Sequence, residues 1–276
     1  MDTRLKKTLA ELARSDQHLT VLTGSGISSE SEIPTFREPG TSWTIGGKEY
    51  RSHELATRKM FEENPDDVWR WYLYGRGICR RANPNPGHRS LAEIERLFPD
   101  RFSLITQSTD NLHLRAGSSM KNTFEVHGNV FYMRCFQDCH SSIYPIPEGV
   151  ADKTRNDEVT DYERRLLSCP ACGGPARPHM LWLDETYNEE YYSYLSVLRI
   201  ARKTRLLIVV GTSGSTNLPV LIAQTVQRRG GVIIDINIQE TPFSYMADAT
   251  GGYFIQETSS VALPAIYKAF SEALAS

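Results

Sequence analysis

The chain lacks an excess of charge of either sign: 31 Lys and Arg stand against 33 Asp and Glu, a formal net charge of −2. So small an imbalance creates no general attraction for nucleic acid or an anionic membrane. No apolar run approaches the ~20 residues needed to span a bilayer. The charged opening, Met1-Asp-Thr-Arg-Leu-Lys-Lys7, also lacks the apolar stretch of a secretion signal. No internal repeat or low-complexity tract is visible. Cysteine is scarce, five in 276 residues, yet four of the five fall in close pairs. Without a secretion signal such pairs read as metal ligands rather than disulfides, and the expected compartment is the cytoplasm. Cys79, the odd one, reads as a buried thiol.

The apolar residues that are present follow two rhythms. Leu5, Leu9 and Leu12 recur at helical spacing behind Asp2, which predicts an N-capped helix to about Arg14. His18–Leu22, Phe102–Thr106, Leu206–Val210 and Val232–Ile236 are short, almost continuously apolar runs. Such runs suit parallel strands buried on both faces. Tyr253–Ile255 is expected as an edge strand. Helices are expected around Leu91–Leu97, over Pro219–Arg229 ahead of Gly230-Gly231, and over Val261–Ala275. The fold class is therefore α/β, a Rossmann-like parallel sheet covered by helices, over 1–37, 89–129 and 179–276. Two stretches break the pattern. Residues 38–88 are rich in aromatics (Trp43, Trp69, Trp71, Tyr72, Tyr74), and 130–178 carry the paired cysteines and an acidic loop. Both read as insertions that build a smaller domain, part helical and part metal-bound.

Four features carry chemistry. Gly24-Ser25-Gly26 leaves an apolar strand, and a glycine turn in that position lets backbone amides approach a pyrophosphate. The third glycine of the usual fingerprint is missing, so a purely structural tight turn remains open. Cys135-x3-Cys139, a gap of 29 residues, then Cys169-x2-Cys172 suits a tetrahedral zinc held by four thiolates. Such a site has no open position, so the zinc is read as structural; His140 is an alternative fourth ligand. His127, before Gly128, is the residue type suited to taking a proton from a hydroxyl near neutral pH. It could equally be an ordinary histidine. Finally, Thr106–Asp110 and Gly211–Ser213 follow strands, where ligands of open parallel sheets bind.

In order along nearly the whole chain, these residues resemble the sirtuins, NAD-dependent protein deacylases. The resemblance rests on Gly24–Ser28, Ile33-Pro-Thr-Phe-Arg37, Thr106–Asp110, His127-Gly128, the four cysteines, Arg177-Pro-His179, Gly211–Ser213 and Asn237. It implies a cleft between the two domains where NAD meets an acyl-lysine of a bound protein or peptide. His127 would be the general base, and the products would be nicotinamide, free lysine and 2′-O-acyl-ADP-ribose. NAD would be held by Gly24, Ser25 and Gly26, by Thr35, Phe36 and Arg37, by Gln107, Ser108 and Asp110, and by Gly211, Thr212, Ser213 and Asn237. Trp182 and Leu183 would wall the acyl-lysine tunnel.

The chain departs from the family pattern at Ser25, Ser108, Thr109, Asp184 and Gly214–Asn217. Ser108 replaces an asparagine beside the ribose. Asp184 replaces a glycine and is expected to crowd or charge the peptide groove. The stretch around Tyr72 is similar to sirtuins that remove succinyl and malonyl groups. Their carboxylate-binding arginine, however, falls at Gly75, with Arg76 one step on. A shift of one residue turns a helical side chain by about 100°. The departures keep two rivals in view: an NAD glycohydrolase or ADP-ribosyltransferase, and a non-catalytic NAD-binding module.

Overall fold

In a computed structural model of the protein, which describes residues 2–34, 42–45 and 48–275, the apolar runs form a parallel sheet. Helix α1 (Thr3–Ala13) leads into β1 (His18–Thr23) and a 3-10 turn, Ser25–Ser31. The hairpin β2 (Ser42–Ile45) and β3 (Lys48–Arg51) is followed by α2 (Ser52–Leu55), α3 (Arg58–Glu63) and α4 (Pro65–Arg81). Next come α5 (Pro86–Leu97), β4 (Phe102–Thr106), α6 (Leu112–Arg115) and β5 (Thr123–Glu125). Strands β6 (Gly128–Cys135), β7 (Ile143–Pro145) and β8 (Ala176–Met180), with α7 (Asp161–Leu166), carry the cysteines. The chain ends with α8 (Glu189–Tyr192), α9 (Tyr194–Lys203), β9 (Thr204–Val210), α10 (Asn217–Arg228), β10 (Val232–Asn237), α11 (Pro242–Ala249), β11 (Tyr253–Gln256) and α12 (Ser259–Ala275).

The main sheet has the order β11-β10-β9-β1-β4-β5, with every neighbouring pair parallel. Both faces of its central strands are covered. On one side Leu9, Leu91, Ile94, Leu263 and Phe270 pack from α1, α5 and α12 against Leu19, Val21 and Ile208. On the other, Val197, Ile222, Ala223 and Phe243 from α9, α10 and α11 meet Leu22, Leu207 and Val209. This double cover is why the central strands read as unbroken apolar runs. Asp2 caps α1 as expected, its carboxylate accepting from the Arg4 amide at 3.2 Å.

A separate sheet, β7-β6-β8, and a separate core form beside it. Val68, Trp69, Tyr72 and Leu73 of α4 pack there with Leu55, Phe61, Met133, Ala176 and Trp182. The aromatics of α4 are thus the filling of a second core. Cys79 is buried, as its sequence context suggests.

Of the chain's seven histidines, five are held below the ordinary value by burial: His18 and His127 at about 4, His88 at about 4, His179 at about 3, and His113 well below it. Below pH 6.5 the unfolded chain takes up protons that these rings refuse. Each therefore removes about 1.4 kcal/mol of stability per pH unit until its folded value is reached. Glu125 works the other way: burial raises it to about 7, so acidification from pH 7 to 4.5 favours the folded form. The histidines outnumber it. Urea midpoints measured across a pH series should fall by several kcal/mol equivalent between pH 6.5 and about 4.5. A flat profile there would contradict neutral burial of these rings.

Candidate active site

Strand order reverses at β1: the chain continues to β4 on one side and later to β9 on the other. Loops leaving the carboxyl ends therefore diverge and open a crevice. Register places Thr23 beside both Thr106 and Val210. One residue further the backbones remain paired. Gly24 N donates to Val210 O at 2.9 Å, Gln107 N to Thr23 O at 2.9 Å, Val126 N to Thr106 O at 3.0 Å and Gly211 N to Ile236 O at 3.0 Å. Gly24, Gln107, His127 and Gly211 consequently leave the sheet along one edge.

The glycines close this edge backbone to backbone. A Cβ on Gly24 would lie 2.5 Å from Gly211 O, and one on Gly26 2.6 Å from the same atom. Gly211 has φ +58°, and a Cβ there would lie 2.6 Å from Ile27 N. No side chain fits. Gly24 N and Gly26 N are both taken, the latter by Gly211 O at 2.9 Å, whereas Ser25 is exposed at the head of the 3-10 turn. The segment after the turn is a 3-10 helix rather than an α-helix. Of the three residues, Ser25 is the one left to face an anion.

His127 lies between β5 and β6, half-buried. Gly128 after it has φ +84°, and a Cβ there would meet His179 O at 2.0 Å, so β8 presses directly on the turn that carries the imidazole. Burial lowers the ring's pKa to about 4, and a hydrogen bond with the Gln107 backbone opposes that shift. The ring is neutral at pH 7. Its Nε2 lies 2.8 Å from the Tyr187 hydroxyl. Gln107 itself bridges two segments, its Nε2 donating to Thr216 Oγ1 at 2.9 Å and its Oε1 accepting from Thr212 Oγ1 at 2.7 Å. Asn237 Nδ2 donates to Thr212 O at 3.1 Å, which ties the end of β10 to the same loop. Ser213 is exposed and within 3.3 Å of Ser215 Oγ.

Asp110 is buried behind the crevice. Its carboxylate accepts from Ser28 Oγ, from Ser108 Oγ and, at 2.8 Å, from Leu112 N. Ser108, buried, turns its hydroxyl to Asp110. A serine two residues from a buried carboxylate is short enough to bond it directly. His88 Nε2 lies 3.3 Å from Ser28 Oγ, and the His88 and His113 rings are 4.8 Å apart.

On the small-sheet side, Trp182 Nε1 donates to the Tyr72 hydroxyl at 3.0 Å, and both rings are buried. The Arg177 guanidinium lies over the Trp182 ring at 3.3 Å and pairs with Glu185. Leu183, by contrast, is 58% exposed and stands apart from the Tyr72–Trp182 pair; its amide donates to Ala56 O at 2.9 Å. Asp184 is exposed and anchored at one end of a helix. Its carboxylate accepts from the Arg58 and Lys59 amides at 2.8 and 3.1 Å, capping the start of α3, where the helix dipole favours an anion. Arg76 is buried against Asp152 and the Val150 carbonyl, so it is engaged away from Tyr72. Thr35, Phe36 and Arg37 lie outside the described residues.

The sulfurs of Cys135, Cys139, Cys169 and Cys172 all lie within 4.8 Å of one another. Thiolates about 2.3 Å from a zinc ion stand about 3.8 Å apart along a tetrahedral edge. Cys135 to Cys172 and Cys139 to Cys169 are each 3.7 Å. The residues fit one structural zinc. His140 lies just outside the four, its Nε2 3.3 Å from Cys169 Sγ and 3.3 Å from the Tyr144 hydroxyl.

Comparison with known proteins agrees with this layout. The Sir2 family model matches residues 24–217. The chain belongs to the Sir2 family. A curated relative, the NAD-dependent protein deacylase of Leptospira interrogans serogroup Icterohaemorrhagiae serovar Lai (strain 56601), is 38% identical over 252 residues, 91% of this chain and 92% of its own. A solved Sir2 homolog–NAD complex superposes with a TM-score of 0.80 at 31% identity, covering 99% of this chain and 95% of that one. A Sir2 homologue bound to 2′-O-acetyl ADP ribose gives the same TM-score and identity over 100% and 99% of the two chains.

Sequence reasoning missed Tyr187 and Thr216, which touch the central imidazole and glutamine, and the Ser28–Asp110–Ser108 cluster. Only tertiary structure joins them. Two outcomes follow. Metal analysis should find one zinc per chain, and Cys139→Ala should lose it and loosen the small core, seen as lost near-UV dichroism. Gly211→Ala should weaken NAD binding at least about tenfold, because a side chain at positive φ against Ile27 N must push the two loops apart; calorimetric titration would measure it.

Proposed function

We propose that this chain is an NAD-dependent protein-lysine deacylase in which His127 is the general base. The observation that carries the reading is a neutral imidazole in a switch-point crevice, between a dinucleotide seat and a zinc-stapled lobe. NAD, bound there, supplies an electrophilic anomeric carbon and nicotinamide as the leaving group.

The chain's own residues then have distinct tasks. Ser25, exposed beside Gly24 and Gly26, faces the phosphates. Gln107, braced by Thr212 and Thr216, sets the floor of the nicotinamide side, while Asp110 holds Ser28 and Ser108 from behind. Gly211, Thr212, Ser213 and Asn237 border the adenosine half. Thr35, Phe36 and Arg37 retain the cofactor role that the family resemblance implies. His127 takes a proton from a ribose hydroxyl, a task suited to a ring that is uncharged at neutral pH. The partner is an acylated protein or peptide whose acyl-lysine approaches Trp182 and Tyr72, with Leu183 at the exposed rim. The aromatic stretch 38–88 and the zinc module 130–178 act as the smaller domain of this cleft. Among the described residues no helix is long and apolar enough to cross a membrane. The zinc-spaced thiols suit a reducing compartment such as the cytoplasm.

The acyl group is expected to be uncharged. Arg76, one step past the position where the resemblance expects a carboxylate-binding arginine, is engaged by Asp152 and Val150 O. A buried succinyl carboxylate without a partner loses at least about 1.4 kcal/mol, a tenfold effect. Steady-state assays should therefore give acetyl-lysine peptide a kcat/KM at least about tenfold above succinyl-lysine peptide. His127→Ala should lower deacetylation roughly 10²- to 10⁴-fold with the fold intact.

The inward turn of Ser108 favours keeping one rival, NAD cleavage without acyl transfer, because that hydroxyl is not offered to a ribose. Mass spectrometry of the nucleotide product decides between them. The deacylase forms O-acyl-ADP-ribose only with acylated peptide; free ADP-ribose formed equally without peptide would overturn it.

A further inference from the structure

Two hydrogen bonds lie close to His127. Gln107 Nε2 donates to Thr216 Oγ1 at 2.9 Å. The Tyr187 hydroxyl lies 2.8 Å from His127 Nε2. A phenol is a stronger donor than an imidazole N–H, so Tyr187 donates to Nε2 and the neutral ring carries its proton on Nδ1.

That assignment has a mechanical meaning. A neutral imidazole has one lone pair in its ring plane, on Nε2 here, and Tyr187 occupies it. A ribose hydroxyl that is to give its proton to Nε2 needs the same lone pair. The two hydroxyls cannot both donate to it with good geometry. Tyr187 sits on the loop between β8 and α8, stacked on Tyr194 with ring centroids 6.1 Å apart and planes 20° from parallel. Tyr187 thus reaches the imidazole from a loop that is separate in sequence from the turn carrying His127.

We propose that Tyr187 is a positioning residue that caps the lone pair of His127 in the free enzyme, fixes its tautomer, and is displaced when a substrate hydroxyl arrives. Tyr187 thereby stands in for the sugar hydroxyl before the sugar binds. Its phenol is the only titratable group within hydrogen-bond distance of the imidazole among the described residues, and burial raises that phenol to about 12, so it stays a donor through the working range. Burial and the Gln107 backbone are the other influences on the ring. The proposal rests on His127 being the general base, but its test does not depend on turnover.

The test is a histidine ¹⁵N NMR titration of the full chain, wild type against Tyr187→Phe, alone and with ADP-ribose, whose ribose hydroxyls compete for Nε2. Removing the phenol hydroxyl strips the neutral ring of its donor. The His127 pKa in the free protein should therefore rise by about one unit or more toward 6.5. ADP-ribose should bind several-fold more tightly to Tyr187→Phe, because no internal hydrogen bond has to be broken first. Tyr187→Leu, which also removes the hydroxyl, should move the titration in the same direction and serves if Tyr187→Phe fails to fold. An unchanged His127 titration in the variants overturns the cap. A raised pKa with unchanged or weaker ADP-ribose binding overturns the displacement. Failure of the general-base reading would show separately, as normal deacetylation by His127→Ala.

Discussion

The contact on which the rest depends is the meeting of two backbones at the sheet edge, Gly24 to Gly26 against Gly211. It brings the loop after β1 within bonding distance of the loop after β9, and both hydrogen bonds there are made by main-chain atoms. Everything in the crevice takes its position from that closure. Gln107 reaches Thr212 and Thr216 only because the β9 loop lies this close to the β1–β4 side. His127 is then placed by Gln107 from one direction and by Tyr187 from the other. A side chain at any of these glycines would displace main chain, which has no rotamer with which to yield.

Burial makes the imidazole neutral, and the surrounding hydrogen bonds give it direction. A base needs an available lone pair more than a particular charge, and the low-dielectric setting supplies the first condition at any pH the protein is apt to meet. The cluster behind it has a different task. Asp110 gathers two serine hydroxyls and an amide into one buried acceptor, which stiffens the loop after β4. Polar groups deep in this protein thus divide into those that face a ligand and those that hold the facing ones still.

Much of this was legible in the amino-acid order, for identifiable reasons. Strands β1, β4, β9 and β10 announce themselves because double coverage demands continuous apolar residues, and β11 because it closes one edge. Strand β5 escapes: three residues long and only half-buried, it has too few positions to show a period. The cysteine spacing predicts its cluster because two tight knuckles bring pairs of thiolates together locally. The partners of Asp184 are hidden in the sequence: they are amides of α3 some 125 residues earlier, and no local pattern reveals a cap supplied from so far away. For Ser108 the carboxylate neighbour at Asp110 is visible, but the fold alone decides which way the hydroxyl turns. Tyr187 lies sixty residues from His127 and bears no motif.

The cysteine module reaches further than its own four sulfurs. Arg134, immediately before Cys135, pairs with Asp138 inside the first knuckle and with Glu185 on the loop that carries Trp182 and Tyr187. Arg58 joins the same acids, and Tyr191 donates to Asp138 at 3.2 Å. Cys139 and Cys172 are the solvent-facing members of the four. Chemical damage at the outer rim of this lobe is thereby wired to the aromatic wall of the catalytic groove. Thiol oxidants arriving at that rim would loosen the segment holding Trp182 and Tyr187, while the parallel sheet keeps its own separate core.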